Sequence, residues 1–110
     1  MTTYEVGDIV LVDFPESDSE ARKRRPALVV LEIGDADVVL APITTRERSG
    51  PGDVRLLEWQ EAGLLRQSRV RLAKLASLDK QMVARRLGRL PFTDVTRVAR
   101  AWRLLFPELR

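Results

Sequence analysis

Short apolar runs separated by polar stretches organise this chain, and a helical period emerges only near its C-terminus. The first run, Ile9-Val10-Leu11-Val12-Asp13-Phe14, is entered through the turn signal Gly7-Asp8 and stopped by Pro15. Residues 26–33 form the second. Leu28, Val29 and Val30 show no polar alternation and two are β-branched, so a buried strand is predicted there. Pro26 cannot donate to a ladder and suits the strand's first residue. Gly34-Asp35 marks a hairpin turn, and residues 36–43 supply the third strand, with Pro42 placing its end at an edge or bulge. Residues 54–57 read as a short fourth strand, and residues 59–65 as a helical turn or a loop around Gly63. Residues 68–75 alternate: Val70 and Leu72 face inward, while Arg69, Arg71 and Lys74 form a basic outer face. Residues 77–80 predict a short helical turn capped by Ser77, and residues 83–90 a last strand bent at Gly88.

The one long helix opens at Thr93-Asp94, with Thr93 as cap and Asp94 at the positive end of the dipole. Val95, Val98, Trp102 and Leu105 recur at helical spacing with Phe106 beside them, a stripe predicted to pack on the sheet before Pro107 ends the helix. Six or so strands with a terminal helix define the expected fold class: mainly β, a small SH3-like barrel plus a C-terminal α-helix. Residues 1–110 are expected to be a single domain.

Composition narrows the chemistry. The chain has no cysteine and no histidine, which excludes disulfides, thiolate nucleophiles and any Ser-His-Asp triad. Acid–base work would fall to carboxylates, lysine, tyrosine, arginine or water. No clustered acidic constellation suggests magnesium, so no metal and no cofactor is expected. No apolar run reaches the roughly 20 residues of a membrane helix, and the N-terminus lacks a signal-peptide layout; a cytoplasmic protein without membrane contact is expected. The net charge of +3 is unevenly spread. Acids gather at Glu16, Asp18 and Glu20; arginines and lysines gather at residues 22–25, at Arg46 and Arg48, at residues 66–74, and at Arg85, Arg86 and Arg89. Such arginine-rich patches suit nucleic acid, and equally suit an ordinary solvated face.

The polar residues 16–24 predict a loop that delivers Lys23, Arg24 and Arg25 to the start of the second strand. Counted outward from Gly34-Asp35, Arg25 and Thr44 each lie about nine residues away, so an antiparallel hairpin makes them neighbours at one end. RNA cleavage by a ribose 2′-oxygen needs charge neutralised on a phosphorane and protons moved. Arg25 could stabilise that charge, and with a pKa of about 12.5 or above it is poorly suited as a base. Thr44 could donate, and Glu20 could accept the 2′ proton. Each residue also has a plain structural reading: a charged loop entering a strand, a hydroxyl capping a turn, a solvated acid.

These residues also carry a resemblance. Gly7-Asp8-Ile9-Val10-Leu11-Val12-Asp13-Phe14, Ser19-Glu20, Arg25-Pro26-Ala27-Leu28-Val29-Val30, Pro42-Ile43-Thr44-Thr45 and Leu75-Ala76-Ser77-Leu78-Asp79-Lys80 follow one another as in the MazF/PemK family of toxin-antitoxin endoribonucleases. The likeness covers nearly the whole chain. It implies a homodimer, a cognate antitoxin, and metal-independent cleavage of single-stranded RNA to 2′,3′-cyclic phosphate and 5′-hydroxyl ends. By the resemblance Arg25 and Thr44 are catalytic and the loop glutamate is Glu20. Lys23, Arg24, Ser68, Arg69, Arg71 and Lys74 are then expected to contact RNA. The chain departs from the family where Ala21-Arg22-Lys23-Arg24 replaces a glycine-rich loop, where Ala73 stands for an aspartate that some members use with the arginine matching Arg71, and where Lys74 stands for the usual glutamine. The alternative is a non-catalytic SH3-like toxin or nucleic-acid-binding module, for example one directed at gyrase.

Overall fold

In a computed structural model of the chain, which describes residues 3–15 and 22–106, the apolar runs become the central strands of an antiparallel sheet. The strands are β1 (Asp8–Pro15), β2 (Arg22–Leu31), β3 (Asp37–Thr44), β4 (Asp53–Arg55), β5 (Arg69–Arg71), β6 (Ala76–Asp79) and β7 (Val83–Arg89), followed by one helix, α1 (Phe92–Leu105). Their order is β4-β5-β3-β2-β1-β7, with β6 branching from β3. No further ladder closes this path among the described residues, so the small barrel is open.

Both faces of the central strands are covered, which is why their apolar runs do not alternate. Ile9, Leu28, Ala41, Ile43 and Val70 pack with Val98 of α1 and with Leu56, Ala62 and Leu64. On the other face Val10, Val12, Ala27, Val29, Val38 and Leu40 pack with Tyr4 and Val83 inside the curl of the sheet.

β3 curves the sheet by changing partners. Its first half pairs with β6, from Asp37 to Leu40, and its end pairs with β5 at Ile43 and Thr44. Pro42 falls in the gap between these ladders, where no donor is needed. The break anticipated at Pro42 is thus a handover between two neighbours.

Several boundaries differ from expectation. β2 begins at Arg22, so residues 22–24 are strand, pairing with β1 as far as Pro15↔Arg22. Pro26 therefore sits within β2, opposite Leu11, just beyond the last β2–β3 pair, Ala27↔Pro42. Residues 68–75 are not one strand: β5 is Arg69–Arg71, and Leu72–Lys74 turn as a 3₁₀ helix. Residues 76–79 form strand β6, and the 3₁₀ turn that follows, Lys80–Met82, is capped by Asp79, whose Oδ1 accepts from the Gln81 N–H at 2.7 Å. Ser77 has no capping role there.

Residues 57–63 are turns, and they lie directly on β7. A Cβ on Gly88 would come within 2.3 Å of the Ala62 carbonyl oxygen, and one on Gly63 within 2.3 Å of that of Leu87. Gly88 marks a close backbone approach, beside a register shift in the β1–β7 ladder.

α1 starts one residue before the expected cap. Pro91 takes the N-cap position, and no side chain caps the helix. Asp94 is fully buried and reaches away from its own helix: its oxygens accept from the Leu57 and Glu58 N–H groups at 2.9 and 2.8 Å. Of the apolar stripe, Val98 is buried and Leu105 is partly buried against the core, while Val95 and Trp102 remain exposed beside a cleft of about 340 Å³. The stripe packs the helix through part of its length only. No helix among the described residues is long and apolar enough to cross a membrane.

Candidate functional site

The hairpin that carries Arg25 and Thr44 has the register needed to bring them together. Ala27 pairs with Pro42 and Leu28 with Ala41, so the same register continued past the last ladder pair sets Arg25 opposite Thr44. A shift between Val29 and Leu31 absorbs one residue nearer the turn without disturbing this end. Arg25 also lies opposite Val12 of β1, and Thr44 opposite Arg69 of β5. Arg69 in turn pairs with Arg55 of β4. Arg25, Thr44, Arg69 and Arg55 therefore form one lateral row, on the face that carries Val12, Ala27 and Leu40 in the curl of the sheet.

Each side chain in the row has a distinct setting. Arg25 is exposed on a rigid strand. Thr44 is half-buried; its Oγ1 accepts the Arg46 N–H at 3.1 Å, and its own O–H stays available as a donor. Arg69 is only 8% exposed, and its Nη2 donates to Glu47 Oε1 at 2.9 Å. Glu47 is itself 91% exposed, so the pair reaches from the buried Arg69 out to solvent. Neither the pairing of Arg69 with Arg55 nor its ion pair with Glu47 was visible in the alternation of residues 68–75, which turned Arg69 outward.

The other sequence-derived candidates divide. Arg71 donates from Nε to the buried Asp53 at 3.2 Å, so its charge is taken up inside the fold. Arg24 is exposed and donates from Nε to Asp13 at 2.9 Å across the β1–β2 pair. Lys23 and Lys74 are exposed. Ser68 is buried, with its hydroxyl donating to the Arg66 carbonyl at 2.8 Å. Glu20 lies outside the described residues. Among the described residues no cluster of three or more metal-ligating side chains occurs.

Sequence reasoning missed a second feature. The 47–49 loop, β4, β5 and α1 enclose an open cleft of about 550 Å³, lined by five arginines, Arg48, Arg55, Arg69, Arg97 and Arg100, against Glu47 and Asp53. The signal for it was the i, i+3 spacing of Arg97 and Arg100 on the predicted helix.

An antiparallel small barrel with one C-terminal helix and an arginine-bearing row at its rim is the class of protein defined here. The family model for the PemK-like, MazF-like toxin of type II toxin-antitoxin systems matches residues 5–106, and the chain belongs to that family. Solved structures agree in fold. The Mycobacterium tuberculosis toxin MazF-mt6 superposes with a TM-score of 0.75 at 22% identity, covering 91% of this chain and 96% of its own. A mycobacterial endoribonuclease in complex with its cognate antitoxin gives 0.76 at 19% identity, over 98% and 99% of the two chains. Form I of MazF from Deinococcus radiodurans gives 0.73 at 24% identity, over 97% and 99%. No curated protein sequence matches the chain.

Proposed function

We propose that this toxin-family chain, acting as one domain, is an endoribonuclease that cleaves single-stranded RNA without a metal. One observation supports the reading: the β2–β3 register, continued two residues past Ala27↔Pro42, would bring Arg25 opposite Thr44, and Thr44 pairs with Arg69, so an arginine position lies on either side of the hydroxyl-bearing one. That is a donor arrangement for a phosphate whose charge rises during reaction. In the proposed reaction the RNA 2′-oxygen attacks its adjacent phosphorus, the P–O5′ bond breaks, and a 2′,3′-cyclic phosphate and a 5′-hydroxyl result. Arg25 stabilises the pentacoordinate anion, and the Thr44 O–H donates to a non-bridging oxygen. The 2′ proton leaves to a carboxylate, for which Glu20 is the proposed acceptor, and the 5′-oxygen takes a proton from solvent.

Relatives support the partners. One similar structure holds a mycobacterial endoribonuclease with its cognate antitoxin, and another is a MazE-MazF complex from Deinococcus radiodurans. We therefore propose a cognate antitoxin for this chain, a homodimeric state and a cytoplasmic location. An acidic, disordered antitoxin segment would be drawn to the same arginines as RNA.

Incubation with a long single-stranded RNA in EDTA tests the activity. Cut products ending in 2′,3′-cyclic phosphate are expected, and they should fall steeply for Arg25→Ala and Thr44→Ala. Intact RNA together with inhibition of gyrase supercoiling would overturn the enzyme reading. Undiminished cutting by either variant would overturn the assignment of the site.

A further inference from the structure

We propose that the arginine cleft between the 47–49 loop, β4 and α1 is a second phosphate-binding subsite, holding the RNA backbone to one side of the Arg25–Thr44 centre. The inference rests on the endoribonuclease reading for the identity of the polyanion, and on independent geometry for the subsite.

Three observations lead to it. First, the cleft is continuous with the row: Arg69 is paired with Thr44 on one side and with Arg55 on the other. A strand passing over Thr44 meets Arg69 and then Arg55. Second, the positive charge there is not neutralised by the fold. Glu47 is engaged by Arg69, and Asp53 by Arg71, which does not line the cleft. Arg97 is tied to the Arg55 carbonyl and sits 3.5 Å from Asp94. Arg48, Arg55 and Arg100 are exposed, and among the described residues their side chains make no hydrogen bond or ion pair. Third, Arg55 stands directly across from Arg69, a like-charge cross-strand pair in which Glu47 meets Arg69 and Arg55 is left to an anion from solution.

The chemistry favours a phosphodiester over an acidic peptide. Arginine forks from a strand (Arg55) and a helix (Arg100) approach from two sides, a pattern suited to the bidentate oxygens of successive phosphates. Leu104 and Ala101 on the α1 wall offer an apolar surface for the ribose between them.

The experiment measures binding of uncleavable, fully 2′-O-methylated RNA across a salt series, using one oligonucleotide of about 12 nucleotides and one of about 4. Arg55→Gln and Arg100→Gln should each weaken the long oligonucleotide several-fold and flatten its log–log salt slope by about 0.7. The short one, which spans only the Arg25–Thr44 centre, should lose much less. Arg48→Gln serves as an independent third variant should either of the others melt early. An unchanged slope for the long RNA overturns the subsite. So does a loss of polyglutamate binding with RNA binding intact, which would assign the cleft to an acidic peptide. A wild-type protein that binds the long RNA with the expected slope yet leaves cleavable RNA intact overturns the endoribonuclease reading and leaves the subsite standing.

Discussion

Arginines play opposite parts at the two ends of this molecule. Where the N-terminal turn meets β7, Arg89 donates to Asp8 at 2.9 Å, to Glu5 at 3.2 Å and to the Val6 carbonyl at 3.2 Å, and Arg86 stands 3.6 Å from the same Asp8. Asp8 is fully buried and also accepts the Glu5 N–H at 2.9 Å. Asp94 stitches residues 57 and 58 to α1 in the same manner. In the α1 cleft the cations outnumber the acids that could meet them. A buried carboxylate that collects donors belongs to the scaffold, since any orphaned partner would cost its desolvation. Cations left facing solvent are the ones available to a ligand.

The sharpest way to break this contrast is to exchange the consequences. Arg25→Ala should lower RNA cleavage by about 10² to 10³-fold, the scale for removing one charge-stabilising donor. The thermal midpoint should move little, because the residue is exposed. A variant that melts early and cuts normally when folded would place Arg25 with the scaffold. Asp94→Ala should do the reverse. Two backbone N–H groups lose their acceptor, so denaturant unfolding should show a loss of about 2–3 kcal/mol. Activity per folded molecule should be retained. A wild-type midpoint for this variant would show that water replaces the carboxylate without penalty.

A third substitution sharpens how the scaffold end is built. Gly88→Ala puts a methyl group 2.3 Å from the Ala62 carbonyl, so the 57–63 turns must lift off β7. A loss of about 1–3 kcal/mol is expected from this overpacking. Gly34→Ala meets no atom within 4 Å, and its cost would come from the backbone alone, at φ +90°. A larger loss at Gly34 than at Gly88 would show that conformation, rather than close approach, governs these glycines.

What was legible in the chain follows the range of the interaction. The β2–β3 hairpin can be counted from Gly34-Asp35, and the pair Ala27↔Pro42 agrees with that count because the shift between Val29 and Leu31 offsets the Leu31↔Val39 register nearer the turn. β1 to β3 were legible as local apolar runs, and α1 by its helical spacing, whereas β6, Ala-Ser-Leu-Asp, carries no such run and reads as a helical turn. Residues 68–75 misled because Val70 and Leu72 are both buried, as alternation required, yet the strand ends at Arg71. The ion pair between Arg69 and Glu47 spans 22 positions, and the bond from Leu57 to Asp94 spans 37. No local period encodes contacts at that distance. Thr93 looked like a cap for the same reason, its neighbour Asp94 being committed to another segment. The α1 cleft joins four separate segments, so beyond the Arg97 and Arg100 spacing it emerges only once they are folded together.

The smallest effect concerns a third kind of charge, one that is paired at the surface. Glu32 follows β2; its Oε2 lies 2.6 Å from the Lys80 ammonium, and its Oε1 accepts the Gly34 N–H. The bond to Lys80, then that to Gly34, hold its carboxyl below the ordinary value of 4.5. With the folded value depressed, the unfolded chain binds the proton first as pH falls. Stability from this pair is therefore present above pH 4.5 and is lost as pH drops through the folded value. Glu32→Gln should remove that increment near neutral pH and flatten the acid limb of the melting curve, so that variant and wild type converge below it. Because the pair is close to solvent, the shift should be small beside that of Asp94→Ala. Parallel melting curves across the whole acid range would mean the pair forms equally well in the unfolded chain. That result would leave buried carboxylates alone as the charges that hold this fold.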